Sequence, residues 1–173
     1  MMTEVSYQIK KETQALVPKY DEFGNLCTVV YELYRTYTVN QSPRRLLEEN
    51  CSFYGCAYEG CLKAAKAILG LKQMVPICIN QSLQLYVMPT CSPDSDQCCW
   101  LFLDHIREIE EYGHKQAKVT LTNRTSLIID AHKDTLEARK AKTALLYYIL
   151  EHRIGLYSKL EQRLGFHYLW RLL

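Results

Sequence analysis

The sequence predicts an α+β fold: a single domain with an N-terminal β-hairpin, two short helices, a small antiparallel sheet and C-terminal helices. Three observations predict it. Two runs rich in β-formers, residues 13–20 and 26–37, flank the turn-forming stretch Asp21-Glu22-Phe23-Gly24-Asn25. Apolar residues recur with helical spacing at Leu62, Ala65, Ile68 and Leu69, and again from Ala138 onward. No long repeat, low-complexity linker or charge block divides the 173 residues.

The elements follow in order. In the second β-run, Cys27, Val29, Tyr31, Leu33 and Arg35 share one face and Leu26, Thr28, Val30, Glu32 and Tyr34 the other. Ser42-Pro43 starts a helix, with a hydroxyl at the cap and a proline where no amide bond is lost. This helix is expected to reach about Asn50. A second helix runs from about Tyr58 to Leu69, with Lys63 and Lys66 adjoining on one face and Gly70 as its cap. Short strands are expected over 75–80 and 83–88, around Gln81-Ser82, and a polar loop over 89–97. Residues 99–111 carry both periods; they read as a strand because a hairpin follows, 118–121 and 126–129 about Asn123-Arg124. A helix over 130–153 shows the stripe Ala138, Ala141, Leu145 and Ile149, with Leu146, Leu150 and Ile154 beside it, and Gly155 is expected to end it. A second helical segment, 156–173, carries Leu156, Leu160 and Leu164 before the apolar ending FHYLWRLL. The domain is therefore divided into 1–155 and a 156–173 segment that docks on the core or on a second subunit.

Composition narrows the class. The start MMTEVSYQIKKETQ has no apolar core of a secretory signal, and no apolar run is long enough to span a bilayer, which predicts a cytoplasmic protein. Net charge is only +2, but it is segregated. Residues 60–93, 112–129 and 138–150 hold no acid. They carry Lys63, Lys66, Lys72, Lys115, Lys118, Arg124, Arg139, Lys140 and Lys142. Acids collect at 94–96 and 104–111. Such segregation suits a face that meets a polyanion, and suits three ordinary solvated faces equally well.

Eight cysteines invite a metal reading. None forms a C-x2-C knuckle, and adjacent Cys98 and Cys99 do not serve one tetrahedron easily. The spacing therefore predicts buried, unmetallated thiols and no cofactor. Three or more sulfurs converging within a few ångströms, among Cys51, Cys56, Cys61 and Cys98 or Cys99, would point instead to a thiol- or metal-dependent regulatory or binding protein. Phosphate-binding glycine loops, nucleophile elbows and H-E-x-x-H are all absent, so the sequence does not read as an enzyme.

One motif is more specific. Cys51, Phe53, Gly55, Tyr58 and Gly60 stand as C-x-F-x-G-x-x-Y-x-G, which resembles the signature of the ComK family of competence transcription factors. The resemblance continues through Met88-Pro89-Thr90-Cys91-Ser92, through Cys98 to Trp100, and through the late hairpin about Asn123, and covers roughly residues 5–152. It implies a transcriptional activator of competence genes that binds double-stranded DNA at paired A/T-rich promoter boxes, largely through the minor groove. It also implies self-association, contact with RNA polymerase, a nucleoid-associated location and turnover through a Clp protease adaptor. The adaptor-recruiting segment of longer members has no clear counterpart in FHYLWRLL. Where the family usually has a cation after Y-x-G, this chain has Cys61, and Lys63 or Lys66 takes over its role. The expected DNA-binding residues are Lys63, Lys66, Lys72 and Arg124 on one surface, with Arg44 and Arg45 as further members.

Overall fold

The structure is a computed structural model; it describes the backbone of residues 7–164 and the side chains of residues 7–155. Two antiparallel sheets and three helices make one mixed α+β domain. A six-stranded sheet has the order β3-β2-β1-β6-β5-β4, built from β1 (Thr13–Tyr20), β2 (Leu26–Glu32), β3 (Thr36–Val39), β4 (Ile77–Asn80), β5 (Leu85–Pro89) and β6 (Trp100–Phe102). A three-stranded sheet follows as β7 (Ile106–Tyr112), β8 (Gln116–Leu121) and β9 (Ser126–Ile129). The helices are α1 (Pro43–Phe53), α2 (Tyr58–Leu69) and α3 (Lys133–Leu164).

Alternation along the strands of the large sheet sorts its side chains between two cores. Leu16, Val87, Trp100 and Phe102 face one way and pack with Leu46, Leu47 and Cys51 of α1 and Tyr58 of α2. Ala15, Met88 and Leu101 face the other way and pack with Ile109, Val119, Leu127 and Ile129 of the small sheet and Leu136 of α3. Every residue of β5 and β6 is consequently buried, as in a sheet covered on both faces. A third cluster, Ala65, Val75, Tyr86 and Leu146, joins α2 to α3 over β5. The helices α1 and α2 therefore lie on one side of the large sheet and the small sheet on the other.

Several expected elements stand as read. Ser42 caps α1, accepting from the Arg45 amide at 3.3 Å. Helix α2 ends on Gly70 in the left-handed region at φ 66°. Others differ, each for a physical reason. The 26–37 run is two strands, because the chain reverses at Leu33–Arg35: the Glu32 amide donates to the Arg35 carbonyl at 2.8 Å. Buried Glu32 fixes this corner through Tyr7 Oη and an ion pair with Lys10 Nζ at 3.0 Å. The 99–111 segment is not one strand. A 3-10 turn over Leu103–His105 carries the chain from β6 in the large sheet to β7 in the small one. Helix α1 reaches Phe53 rather than Asn50, and α3 begins at Lys133 rather than Asp130. Gly155 does not end α3, which continues to Leu164; a lone glycine costs a helix only about 1 kcal/mol and good helix formers follow. The core side of α3 carries Leu136, Thr143 and Leu146, while Ala138, Ala141 and Leu145 are exposed. Residues 165–173 of the expected C-terminal segment lie outside the described residues.

Two signature glycines make opposite predictions. Gly55 sits at φ +86° and a Cβ there meets nothing within 4 Å, so Gly55→Ala introduces only backbone strain. Chemical denaturation should show a loss of about 1–2 kcal/mol. Gly60 lies inside α2 with open space at its Cβ position, so Gly60→Ala should stabilise the fold by roughly 0.5–1 kcal/mol. A stable Gly55→Ala protein or a destabilised Gly60→Ala protein would contradict this account of the α1–α2 corner.

Candidate nucleic-acid interface

The corner between α1 and α2 organises the site. Helix α1 closes on Tyr54, and Gly55 takes the left-handed position beyond it. The Gly55 amide donates to the Ser52 carbonyl at 3.0 Å and the Cys56 amide to the Cys51 carbonyl at 3.0 Å. This is the double bond pattern of a Schellman cap, which brings Cys56 back over Cys51. Ala57 then caps α2, so Cys56 and Cys61 occupy the two positions that a hydrophobic staple joins. One residue, Cys56, thus belongs to both motifs.

Tyr58 opens α2 and is held edge-on against Trp100, ring centroids 6.4 Å apart. The Arg44 guanidinium lies over the Tyr58 ring at 3.9 Å. Arg44 is also engaged by Glu48 at 2.6 Å and by Asp94 at 3.5 Å. These contacts form one wall of a cleft of about 380 Å³, whose lining includes Tyr58, Leu62, Lys66, Lys72 and Met74. A neighbouring hollow shares Gln73 and Met74 and adds Arg139 and Lys142 from α3. The α2–β4 connection therefore runs between two sets of cations.

The expected site residues divide. Lys66, Lys72 and Arg44 are brought to one cleft, and Lys63 is exposed one turn earlier on α2. Arg124 does not join them. It occupies the β8–β9 turn of the small sheet, beyond the large sheet from α2, at φ 70°. The shared surface that the acid-free stretches predict stops short of it, because the chain carries those stretches into different layers. Arg45 is exposed and paired with Glu49 at 3.1 Å. Among the described residues, Lys63, Lys66, Lys72 and Arg124 form no ion pair, whereas Arg44 and Arg45 do. Free lysines on a helix face keep their charge for a ligand; Arg44 serves the fold first. Lys142, which lines the neighbouring hollow, is legible in the sequence only as part of an acid-free stretch.

The signature residues are mainly structural. Pro89 pairs with Trp100 across β5 and β6. The Thr90 hydroxyl accepts from the Cys99 amide at 3.0 Å, and Arg139 donates to the Thr90 carbonyl. In the β8–β9 turn the residue in the left-handed region is Arg124, not Asn123. Asn123 works through its side chain instead, donating to the Glu32 carbonyl at 3.2 Å and accepting from the Thr125 amide at 2.9 Å. Phe53 is exposed.

Three of the thiols converge, which their spacing in the sequence does not announce. Four of the eight are buried: Cys27, Cys51, Cys98 and Cys99. Cys51, Cys56 and Cys61 bring their sulfurs within 4.8 Å of one another. Cys56 Sγ and Cys61 Sγ are 3.0 Å apart. Hydrogen bonding from Cys51, and then from Cys56, holds the Cys61 thiol down to about 6, against its burial. Burial, with the bond to Cys61, pushes Cys56 up to about 11. Cys61 should therefore lose its proton before Cys56 does as pH rises. Its alkylation by iodoacetamide, followed by peptide mass spectrometry, should set in at lower pH than that of Cys56. Alkylation of Cys56 first as pH rises would contradict the hydrogen-bonded arrangement of the three sulfurs.

The fold and these surfaces define a two-sheet α+β domain that presents unpaired lysines beside a tightly closed helix corner. Residues 4–155 match the model of the ComK protein family, and the chain belongs to that family. The chain is similar to the competence transcription factor of Bacillus subtilis (strain 168), with 25% identity over 149 residues, 86% of this chain and 77% of that protein. No solved structure matches it at a significant level. No helix among the described residues is long and apolar enough to cross a membrane.

Proposed function

We propose that the chain is a DNA-binding activator of competence genes that docks paired A/T-rich boxes through the face made by α2 and the connection that follows it. The observation that supports it most is the grouping of Lys63, Lys66 and Lys72, none of them in an ion pair among the described residues, on and just beyond one helix. Phosphates supply most of the affinity in such complexes, and free lysines meet them as mobile point charges. The narrow, electronegative minor groove of A·T tracts draws in such cations without a full base code. Gly60 fits this reading. A Cβ at its position would meet nothing in the chain, and it lies exposed at the start of α2, where backbone can approach a ligand closely. The protein acts in the cytoplasm on the nucleoid, as a regulator rather than an enzyme. RNA polymerase and a Clp protease adaptor are its further partners by family likeness.

Titration of a two-box A/T-rich duplex at two salt concentrations tests this directly. Replacing Lys66 and Lys72 together by Gln should weaken binding and lower the salt slope by about 0.9 for each phosphate no longer neutralised. Arg124→Gln should change both far less. Equal effects from the two substitutions, or no preference for the A/T boxes over a G·C-substituted duplex, would overturn the proposed face.

Paired boxes call for paired subunits. Ala138, Ala141, Leu145 and Tyr148 form an exposed stripe on α3 at alternating spacings of three and four, the pattern of a helix–helix seam. Leu145 is 42% and Tyr148 64% exposed in the single chain. A self-associating protein should become monomeric on Leu145→Glu with its fold intact, by light scattering and circular dichroism. An unchanged oligomeric state would place the subunit interface elsewhere, including the 156–173 segment.

A further inference from the structure

We propose that Cys51, Cys56 and Cys61 form a three-coordinate site for a soft metal ion, monovalent copper being the ion it fits. The site goes beyond the DNA-binding reading and does not rest on it. Two ordinary local motifs build it. The Schellman cap of α1 returns Cys56 to Cys51, and the staple at the start of α2 joins Cys56 to Cys61. The backbone thus sets the ligand spacing without the C-x2-C knuckle of zinc ribbons.

The dimensions suit a small ion. With metal–sulfur bonds of about 2.3 Å, three sulfurs in a plane around one ion stand about 4 Å apart. Here the three lie within 4.8 Å of one another, and the closest pair is at 3.0 Å. Cys56 and Cys61, the pair that must open from 3.0 Å toward that spacing, are both only half-buried. The ligand set is chemically selective. Among the described residues it is sulfur alone, with no imidazole or carboxylate to complete a tetrahedron. Soft thiolates favour monovalent copper, and a trigonal set disfavours zinc, which takes four ligands in structural sites. Cys51 closes the site from the buried side, while Cys56 and Cys61 leave a path from solvent. Each thiol that coordinates releases its proton to water as the metal–sulfur bond forms. An ion held there would tie the last turn of α1 to the first turn of α2, the corner from which Lys63 and Lys66 project.

The test uses the full chain, reduced and anaerobic, with monovalent copper supplied against bicinchoninate as competitor. One equivalent per chain is expected to leave the competitor. Cys56→Ser and Cys61→Ser should each weaken retention at least 100-fold, and Cys91→Ser should leave it unchanged, with circular dichroism confirming each fold. X-ray absorption of the wild-type complex, which needs no variant, should show three sulfurs at about 2.3 Å. Copper retained by Cys56→Ser and Cys61→Ser, binding equally weakened in Cys91→Ser, wild-type protein that fails to compete, or a two-sulfur or nitrogen-containing shell would overturn the proposal.

Discussion

The left-handed turn at Gly55 is the constraint on which the site depends. It ends α1 with two closed carbonyl bonds and starts α2 within three residues. That sharp return sets Tyr58 against Trp100 and beneath Arg44, and lays α2 against β4. Remove the turn and the tyrosine leaves the core, the arginine loses its platform and the lysines of α2 lose their bearing. The cation face is thus a consequence of backbone geometry in a segment that carries little charge itself.

The core supports this corner from both sides. Trp100 is fully buried and belongs to the shortest strand of the large sheet, which pairs with β1 on one side and β5 on the other. Asn50, buried in α1, ties the N-terminal segment down by accepting from the Ile9 amide at 2.7 Å and donating to the Tyr7 carbonyl at 3.0 Å. A buried amide with its partners in place is directional, whereas apolar burial alone is not. Helix α1 is consequently fixed in rotation as well as position, and the exposed face of α2 follows from it.

Much of this is legible in the sequence, where local chemistry alone decides. Ser42-Pro43 and Gly70 mark helix ends because caps are local hydrogen-bond solutions. The mixed α+β class follows from two periods in one chain. The rest needs tertiary information. Alternation through Trp100, Phe102 and Asp104 gives no sign that the chain leaves one sheet for another at Leu103–His105. The apolar stripe of α3 reads as core although two adjoining rows are available, and Thr143, polar and fully buried, lies on the row that packs. An acid-free stretch says nothing about layer, so it groups Arg124 with cations that lie on the far side of the sheet. The convergence of three cysteines is hidden for a related reason. Knuckle spacing is one way to converge thiols, and a shared cap-and-staple residue is another, visible only once Gly55 is recognised as a left-handed cap.

Hydrogen–deuterium exchange of the chain, with and without a two-box A/T-rich duplex, tests the central claim most directly. If the closed corner presents α2 to DNA, amides of α2 and of residues 70–75 should gain protection on binding. The β8–β9 turn should exchange as before. Protection centred on that turn, with α2 and the following connection unchanged, would contradict the account.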